Sequence, residues 1–204
     1  IQINRGNGTF AEIGEVLGLN ATYWSWSPLI ADFDLNGSND VFITNGYPVD
    51  MTDIDFFTYN YQNGMSNNIQ KIFNAMINGV VDSNIYNDYL NIINRAPKIF
   101  ESNFAFSNNG NLEFTDATKD WGLYKPTVSN GAIYADLDND GDLEIIINNL
   151  NDTLNIWKNN AVELGMGAYV KVVPTNYPLA HHPLGTKVQV FSAGELHYRE
   201  LQYN

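Results

Sequence analysis

The chain has 204 residues, with 23 acidic and 10 basic side chains, a formal charge of −13 and no cysteine. This length suits one domain, or one domain with a small second one. The acidic balance argues against a nucleic-acid partner, because a phosphate backbone needs lysine and arginine to neutralise it. The lack of cysteine excludes disulfides and thiolate metal sites. No stretch approaches the ~20 apolar residues of a membrane span, so we expect this segment not to cross a membrane.

Two parts of the sequence resemble each other at a constant spacing of 104 residues. Residues 3–19 read INRGNGTFAEIGEVLGL, and residues 107–123 read SNNGNLEFTDATKDWGL. Each copy predicts two short strands around an Asn/Gly turn, a Gly-Leu pair, and two further strands around an acidic loop. Short strands joined by turn residues indicate antiparallel sheet, and a repeated four-strand unit is typical of a propeller blade. The predicted blades are residues 1–50 and 99–166.

Between the two copies, apolar residues follow a helical period. The first stripe consists of Met65, Ile69, Ile72, Phe73, Met76, Ile77 and Val80, and the second of Ile85, Tyr86, Tyr89, Leu90, Ile92 and Ile93. Such stripes indicate amphipathic helices, and Pro97 ends the second one. We therefore expect residues 51–98 to be a mostly helical insertion, a hairpin packed on the sheet. Both a structural cap over a blade and a binding lid are open interpretations.

The C-terminal segment, residues 167–204, changes pattern again. Its sequences YVKVV, TKVQVF and ELHYREL alternate apolar and polar residues, which predicts the start of a small β domain. His181 and His182 lie between the first two sequences and are open to two interpretations, a shared metal or plain loop residues. Because the chain begins at Ile1 and stops within an alternating pattern, we expect it to be an internal piece of a longer protein.

Each predicted blade carries one acidic loop, residues 32–40 (loop one) and residues 136–144 (loop two). Both follow D-x-D-x-[DN]-G-x-x-[DE]. Oxygens at positions 1, 3, 5 and 9, with a carbonyl at position 7, can surround one hard cation, and glycine at position 6 permits the sharp turn. The predicted ligands are the side chains of Asp32, Asp34, Asn36 and Asp40 with the Ser38 carbonyl, and the side chains of Asp136, Asp138, Asp140 and Glu144 with the Asp142 carbonyl.

Calcium is the predicted ion at both loops. It takes six to eight oxygen ligands in irregular cages, whereas magnesium requires a stricter octahedron and zinc prefers histidine or cysteine. An acidic turn without metal would crowd carboxylates at a cost in repulsion, and two such turns in one register favour the metal interpretation. Loop two offers four carboxylate ligands against three, so the count predicts tighter binding there.

The whole pattern, N-x-G-x-x-F…G-L…A-D-x-D-x-[DN]-G-x-x-[DE], resembles the FG-GAP/VCBS repeats of integrin-α-like propellers. Further matches are Asn45-Gly46-Tyr47, Met51-Thr52, Asp55-Phe56, Trp121-Gly122-Leu123, Ser129-Asn130-Gly131-Ala132, Tyr169-Val-Lys-Val and Leu184-Gly185-Thr186-Lys187-Val188. They resemble bacterial surface or secreted VCBS proteins that end in an ASPIC/UnbV domain. The resemblance implies a mainly β fold: a partial propeller of two blades, a helical insertion, and the start of a small β domain. Two blades cannot bury their own faces, so the remaining blades are expected in the rest of the chain.

No catalytic arrangement is evident in the sequence, which lacks G-x-S-x-G and a P-loop. Trp24, Trp26 and Trp121 are candidates for sugar stacking or for core positions. We therefore predict a calcium-stabilised, non-catalytic binding or scaffold module with a protein or glycan partner. It is expected at the cell surface or outside the cell, on the exterior of a bacterial outer membrane. The alternatives are a polysaccharide-active enzyme, or its accessory subunit, with its active site elsewhere, and a structural subunit of an outer-surface complex.

Overall fold

The computed structural model describes residues 1–50, 52–60, 62, 66–97, 99, 101–150, 152–172, 184–192 and 194–201. These residues are mainly β and form small antiparallel sheets with few helices. The strands in chain order are β1 Gln2–Asn4, β2 Phe10–Glu12, β3 Ser25–Ala31, β4 Asp40–Asn45, β5 Phe104–Asn108, β6 Phe114–Asp116, β7 Ser129–Ala135, β8 Glu144–Asn149, β9 Asn155–Trp157, β10 Lys187–Ser192 and β11 Glu195–Glu200.

Two sheets form the body of the fold. The first has four strands in the order β3-β4-β5-β6, and the second has three in the order β7-β8-β9. Strands β1 and β2 pair as a separate hairpin, as do β10 and β11. In each of the two main sheets, neighbouring strands are antiparallel.

The spacing of 104 residues recurs in the hydrogen-bond register. Ser25 pairs with Asn45 in the first sheet, and Ser129 pairs with Asn149 in the second. The register then shifts before the next pairing, which is three residues later at Pro28 and at Ala132 respectively, so the same irregularity occurs at the same place. The equivalence therefore extends from the sequence to the backbone geometry.

The sheets do not coincide with the two sequence copies. Strands β3 and β4 belong to the first copy, but the same sheet is completed by β5 and β6 of the second copy. The predicted division into blades at 1–50 and 99–166 therefore differs from the sheets by two strands. Pairing of β4 with β5 requires that the chain return to the same sheet after the helical insertion, and no local sequence pattern encodes that return.

The core lies between the two main sheets. Phe42 is fully buried there, together with Ala31, Phe33, Ala105, Leu123, Ile145 and Ile147. Strand β4 alternates its faces, so its Val41 and Ile43 lie in a second cluster with Leu19, Phe104 and Phe106. Gly46 follows β4 at a positive φ of 152°, and a Cβ there would lie 2.6 Å from the Cα of Val128. This contact brings the second sheet close to the first.

The described residues of the insertion form three α-helices, α1 Ile54–Asn60, α2 Ser66–Asn78 and α3 Ser83–Arg95. Asp82 caps α3, since its Oδ1 accepts hydrogen bonds from the N–H groups of Asn84 and Ile85, both at 2.9 Å. Helices α2 and α3 pack on each other. Within the described residues, no helix combines the length and apolar character needed to cross a membrane.

Among the described residues, the hairpin leaves much of its apolar surface exposed, and its packing on the sheet stays a prediction. The apolar face of α2 is exposed, with Phe73 at 58 % and Ile77 at 68 %, and α3 buries none of its described residues. Two α2 residues, Ile72 and Ala75, are buried. Amphipathic periodicity identified the helices correctly, but it does not specify which surface an apolar stripe covers. Met65 of the predicted stripe lies outside the described residues.

In the described residues of the C-terminal segment, two of the three alternating sequences form strands. TKVQVF and ELHYREL pair as β10 and β11, but the described residues of YVKVV form no strand. Instead Tyr169 places its ring against Gly141, and Gly167 approaches the backbone of Leu35. The segment thus runs across the two acidic loops. Its side chains alternate as in a strand, but among the described residues no strand lies beside it to pair with. His181 and His182 lie outside the described residues.

Candidate metal centres

Loop one gathers three of its acidic side chains around one point. Asp32, Asp34 and Asp40 each place a carboxylate oxygen within 4.8 Å of the other two. The N–H of Asn36 donates to Oδ1 of Asp32 and Oδ1 of Asp34, both at 3.1 Å, and the N–H of Gly37 donates to Oδ2 of Asp32 at 3.0 Å. The turn therefore holds the carboxylates in place through its own backbone.

The other two predicted ligands of loop one behave differently. The side-chain oxygen of Asn36 accepts the N–H of Ser38 at 2.8 Å, while its amide nitrogen donates to Oδ2 of Asp34 at 3.1 Å. Asn36 is therefore adjacent to the carboxylates but directs its nitrogen at them. Coordination by Asn36 and by the Ser38 carbonyl stays a prediction.

Loop two gathers three carboxylates in the same way. Asp136, Asp138 and Glu144, at positions 1, 3 and 9, each place an oxygen within 4.8 Å of the other two. Two lysines lie beside them: Nζ of Lys158 is 2.9 Å from Oδ2 of Asp138, and Nζ of Lys171 is 3.9 Å from Oδ2 of Asp136. The carboxylates of loop two therefore lie close to positive charges that come from residues outside the nine-residue motif.

Asp140 and Asp142 belong to a different group. Their carboxylate oxygens lie within 4.8 Å of each other and of Glu163, which the sequence analysis did not single out. Asp142 is fully buried, and its Oδ2 accepts the N–H of Val162 at 3.0 Å. Its side chain therefore ties loop two to the turn that follows β9, in addition to the carbonyl role predicted for it.

The acids at position 9 have equivalent partners in the two loops. Asp40 accepts the N–H of Phe33 at 2.8 Å, and Glu144 accepts the N–H of Leu137 at 2.7 Å, each across its own loop. Asp40 also accepts the N–H of Asn108 at 2.9 Å. The buried position-9 acid therefore closes each loop and fixes its shape.

Two carboxylate oxygens of loop two are buried without a hydrogen-bond partner, Oδ1 of Asp136 and Oδ1 of Asp142. A buried carboxylate oxygen without a partner is costly, and such groups are usually paired or coordinate a metal. The ligand atoms are all oxygen, and two oxygens bound to one calcium ion lie up to about 5 Å apart. The donor set and its spacing thus fit a hard divalent cation.

Burial alters the acidity of several of these groups. Desolvation raises the pKa of Asp40 to about 6, against the opposing effect of the N–H groups of Asn108 and Phe33. Desolvation likewise raises the pKa of Asp32. The pKa of Asp140 is lowered by the Asp142 N–H, but desolvation and the charges of Asp142 and Asp138 outweigh this and raise it. Crowded carboxylates without a cation are therefore under electrostatic strain.

This strain predicts an unusual pH dependence for the cation-free protein. The pKa of Asp40 is higher in the folded chain than its ordinary value of 3.8, so folding takes up a proton between those values and stability falls as pH rises through that window. Acidification from pH 7 to pH 5 is expected to increase the free energy of unfolding by about 1 kcal/mol.

Urea unfolding after removal of metal on a chelating resin measures this change. Asp40→Asn is the control: it is expected to flatten the slope of stability against pH, whatever it does to stability at one pH. A wild-type stability that decreases between pH 7 and pH 5 would contradict the prediction.

Several site residues were missed because they lie outside the loops. Asn108 is the last residue of β5, and Asn159 follows β9. The side chain of Asn108 donates to the carbonyl of Asn39 at 3.0 Å, and that of Asn159 donates to the carbonyl of Leu143 at 3.3 Å. Both belong to a similar short sequence, FSNNG at 106–110 and WKNNA at 157–161. That similarity was the available signal that a further strand completes each loop.

The aromatic candidates are divided between core and surface. Trp24 stacks on Tyr47 with ring centroids 4.8 Å apart, and Trp121 packs against the main core. Trp26 is 50 % exposed, although its Nε1 donates to the carbonyl of Gly46 at 2.7 Å. Among the tryptophans predicted as candidates, Trp26 is thus the one with half its surface open.

Comparison of the chain with protein families found no match. A search of curated proteins also found none. The interpretation of the two loops therefore depends on their geometry and on the internal repeat.

Proposed function

We propose that this chain is part of a calcium-stabilised β-propeller that acts as a non-catalytic binding or scaffold module outside the cell or at its surface. The observation that carries the proposal is the equivalence of the two acidic loops. Each gathers the acids at positions 1, 3 and 9 within 4.8 Å, and each closes through the same hydrogen bond to position 2. An arrangement repeated in this detail supports one shared role, cation binding.

Calcium is the ion that this donor set favours. The ligands are carboxylates on an irregular loop, which suits a large cation with a flexible coordination number. The buried, unpartnered Oδ1 of Asp136 offers one such ligand atom. Loops of moderate affinity are saturated at millimolar extracellular calcium, which supports a location outside the cell.

An uncovered face of the second sheet supports the propeller. In the first sheet Leu29, Phe42 and Ala105 lie side by side across three strands and are covered by the second sheet. The corresponding residues of the second sheet are Ile133, Ile146 and Ile156. Of these, Ile133 is 42 % exposed and Ile156 is 58 % exposed. A further sheet stacked in the same way would cover them, as in a ring of blades.

A cleft beside loop two supports a binding role. It has a volume of about 580 Å³, and its lining includes Trp121, Trp157, Asp120 and Asn160. The Nε1 of Trp157 is buried without a hydrogen-bond partner. Aromatic faces next to amide and carboxylate groups suit a polar ligand with apolar faces, such as a glycan.

A structure of the intact gene product in calcium tests the propeller and the ions together. We expect further four-stranded sheets, one of them packed on Ile133 and Ile156, and one ion in each loop. A structure with this face open to solvent, or with the loops coordinating nothing at millimolar calcium, would contradict the proposal. Incubation of the same protein with polysaccharides tests the non-catalytic role: retained chain length is expected, and shortened products would favour the enzyme instead.

A further inference from the structure

Ser107 and Lys158 occupy equivalent positions beside the two loops. In the first sheet Val41 pairs with Phe106, and in the second Ile145 pairs with Trp157. Val41 and Ile145 are 104 residues apart and follow the last residue of their respective loops. Ser107 and Lys158, which follow these aromatic residues, therefore each contact the aspartate at position 3 of the adjacent loop, Asp34 or Asp138.

The two residues make contacts of different charge. Ser107 Oγ donates to Oδ2 of Asp34 at 2.9 Å. Lys158 Nζ lies 2.9 Å from Oδ2 of Asp138 and 3.0 Å from Oε1 of Glu163. A hydroxyl satisfies one lone pair and leaves the negative charge of the loop unchanged, whereas an ammonium group neutralises part of it.

The ammonium group lies where an incoming cation must compete with it. The side chain of Lys158 is 53 % exposed and that of Asp138 is 43 % exposed, so the pair is at the mouth of the loop. Lys171 adds a second, more distant ammonium group, 3.9 Å from Asp136. In the described part of the chain, no lysine or arginine forms an ion pair with a carboxylate of loop one. Arg199 donates to the amide oxygen of Asn39 at 3.0 Å, and its charge acts on Asp32 from beyond ion-pair distance, where it lowers the pKa of that group less than desolvation raises it.

We propose that Lys158 is a built-in cation of loop two, which supports that loop when no metal is present and lowers its affinity for calcium. The inference rests on the proposed calcium function and deepens it. It reverses the order of affinity that the carboxylate count predicts, because loop one has fewer acids but, among the described residues, no ammonium group paired with them. Loop one is then the tighter site, and loop two responds to calcium at higher concentration.

The physical basis is competition for Asp138. A calcium ion bound to Asp136, Asp138 and Glu144 must either displace the ammonium group or remain a few ångströms from it. Either choice weakens binding, since like charges at that separation repel even near a wet surface. Exposed ion pairs are individually weak, so the expected effect on affinity is about tenfold, rather than abolition of binding.

The test exchanges the two residues. Lys158→Ser gives loop two the side chain of loop one, and Ser107→Lys installs the ammonium group at loop one. Lys71→Ser, on the exposed surface of α2, is the matched control for loss of one positive charge. Calcium titration by isothermal calorimetry measures affinity, and thermal unfolding in a chelator measures the stability of the cation-free protein.

We expect Lys158→Ser to tighten the weaker calcium site about tenfold while lowering Tm in chelator, and Ser107→Lys to weaken the tighter site about tenfold. Lys71→Ser is expected to change neither. For Lys158→Ser, calcium affinity is expected to rise while Tm in chelator falls, and this combination distinguishes the proposal from a purely structural role. If Lys158 were only structural, its loss would lower stability with and without calcium and would not tighten calcium binding.

Each outcome decides between the two proposals. Calcium binding by wild type with unchanged or weaker binding by Lys158→Ser overturns the role of Lys158 and leaves the calcium function standing. Two sites of equal affinity in wild type that respond equally to both exchanges overturn it as well. Absence of calcium binding by wild type and by both exchange variants overturns this inference and the calcium function together.

Discussion

Phe42→Ala is expected to lower the free energy of unfolding by about 3–5 kcal/mol. Phe42 is fully buried between the two main sheets and contacts residues contributed by both. Removal of its ring leaves a cavity in a closely packed interior, and the surrounding side chains can relax into it only in part. Urea unfolding at saturating calcium measures the loss.

Ile156→Ala is the matched control for Phe42→Ala. Ile156 belongs to the equivalent row of the second sheet but is 58 % exposed, so its truncation is expected to change stability by no more than about 0.5 kcal/mol. Similar losses for the two variants would contradict the packing described for the sheets. A large loss for Ile156→Ala in the intact gene product alone is what a covering sheet would produce.

Chelation of calcium is expected to lower Tm by about 5–10 °C for each saturated site. Free calcium at 100 times Kd stabilises by about 2.7 kcal/mol, and each kcal/mol corresponds to about 2–4 °C in a chain of this size. The physical reason is the crowding of Asp32, Asp34 and Asp40 around one point, where carboxylates repel once the ion has left. Differential scanning calorimetry with and without EDTA measures the shift.

Calcium is expected to restore Tm better than magnesium at the same concentration. Magnesium requires a near-ideal octahedron and keeps several of its waters, which these irregular loops do not favour. Asp32→Ala, which removes a position-1 ligand from loop one, is expected to reduce the shift without abolishing it, since loop two remains. An unchanged Tm in EDTA would count against metal sites in both loops.

Much of the local structure could be predicted because the two copies share their turn and strand chemistry. Short runs of strand-forming residues joined by turn residues predicted a strand on each side of the acidic loops, and β4 and β8 begin at the last residues of loop one and loop two. The pairing of strands across copies could not be predicted, since the helical insertion separates β4 from β5. The sequence Tyr169-Val-Lys-Val has the alternation of a strand, yet within the described residues it pairs with no strand.

The acidic loops could be predicted for a similar reason, since nine residues contain most of their ligands. The grouping of Asp32, Asp34 and Asp40, and of Asp136, Asp138 and Glu144, follows the expected positions. The motif does not contain the residue that follows the next strand and contacts the loop. Lys158 lies beyond β9, and its distance from Asp138 depends on the pairing of Ile145 with Trp157.

The staggered composition of the first sheet has a mechanical consequence. Strands β3 and β4 come from one sequence copy and β5 and β6 from the next, so the joint between copies is a ladder of hydrogen bonds rather than a flexible tether. A pull applied to the two copies must break the β4–β5 ladder before they separate. The copies are therefore expected to resist tension as one continuous body.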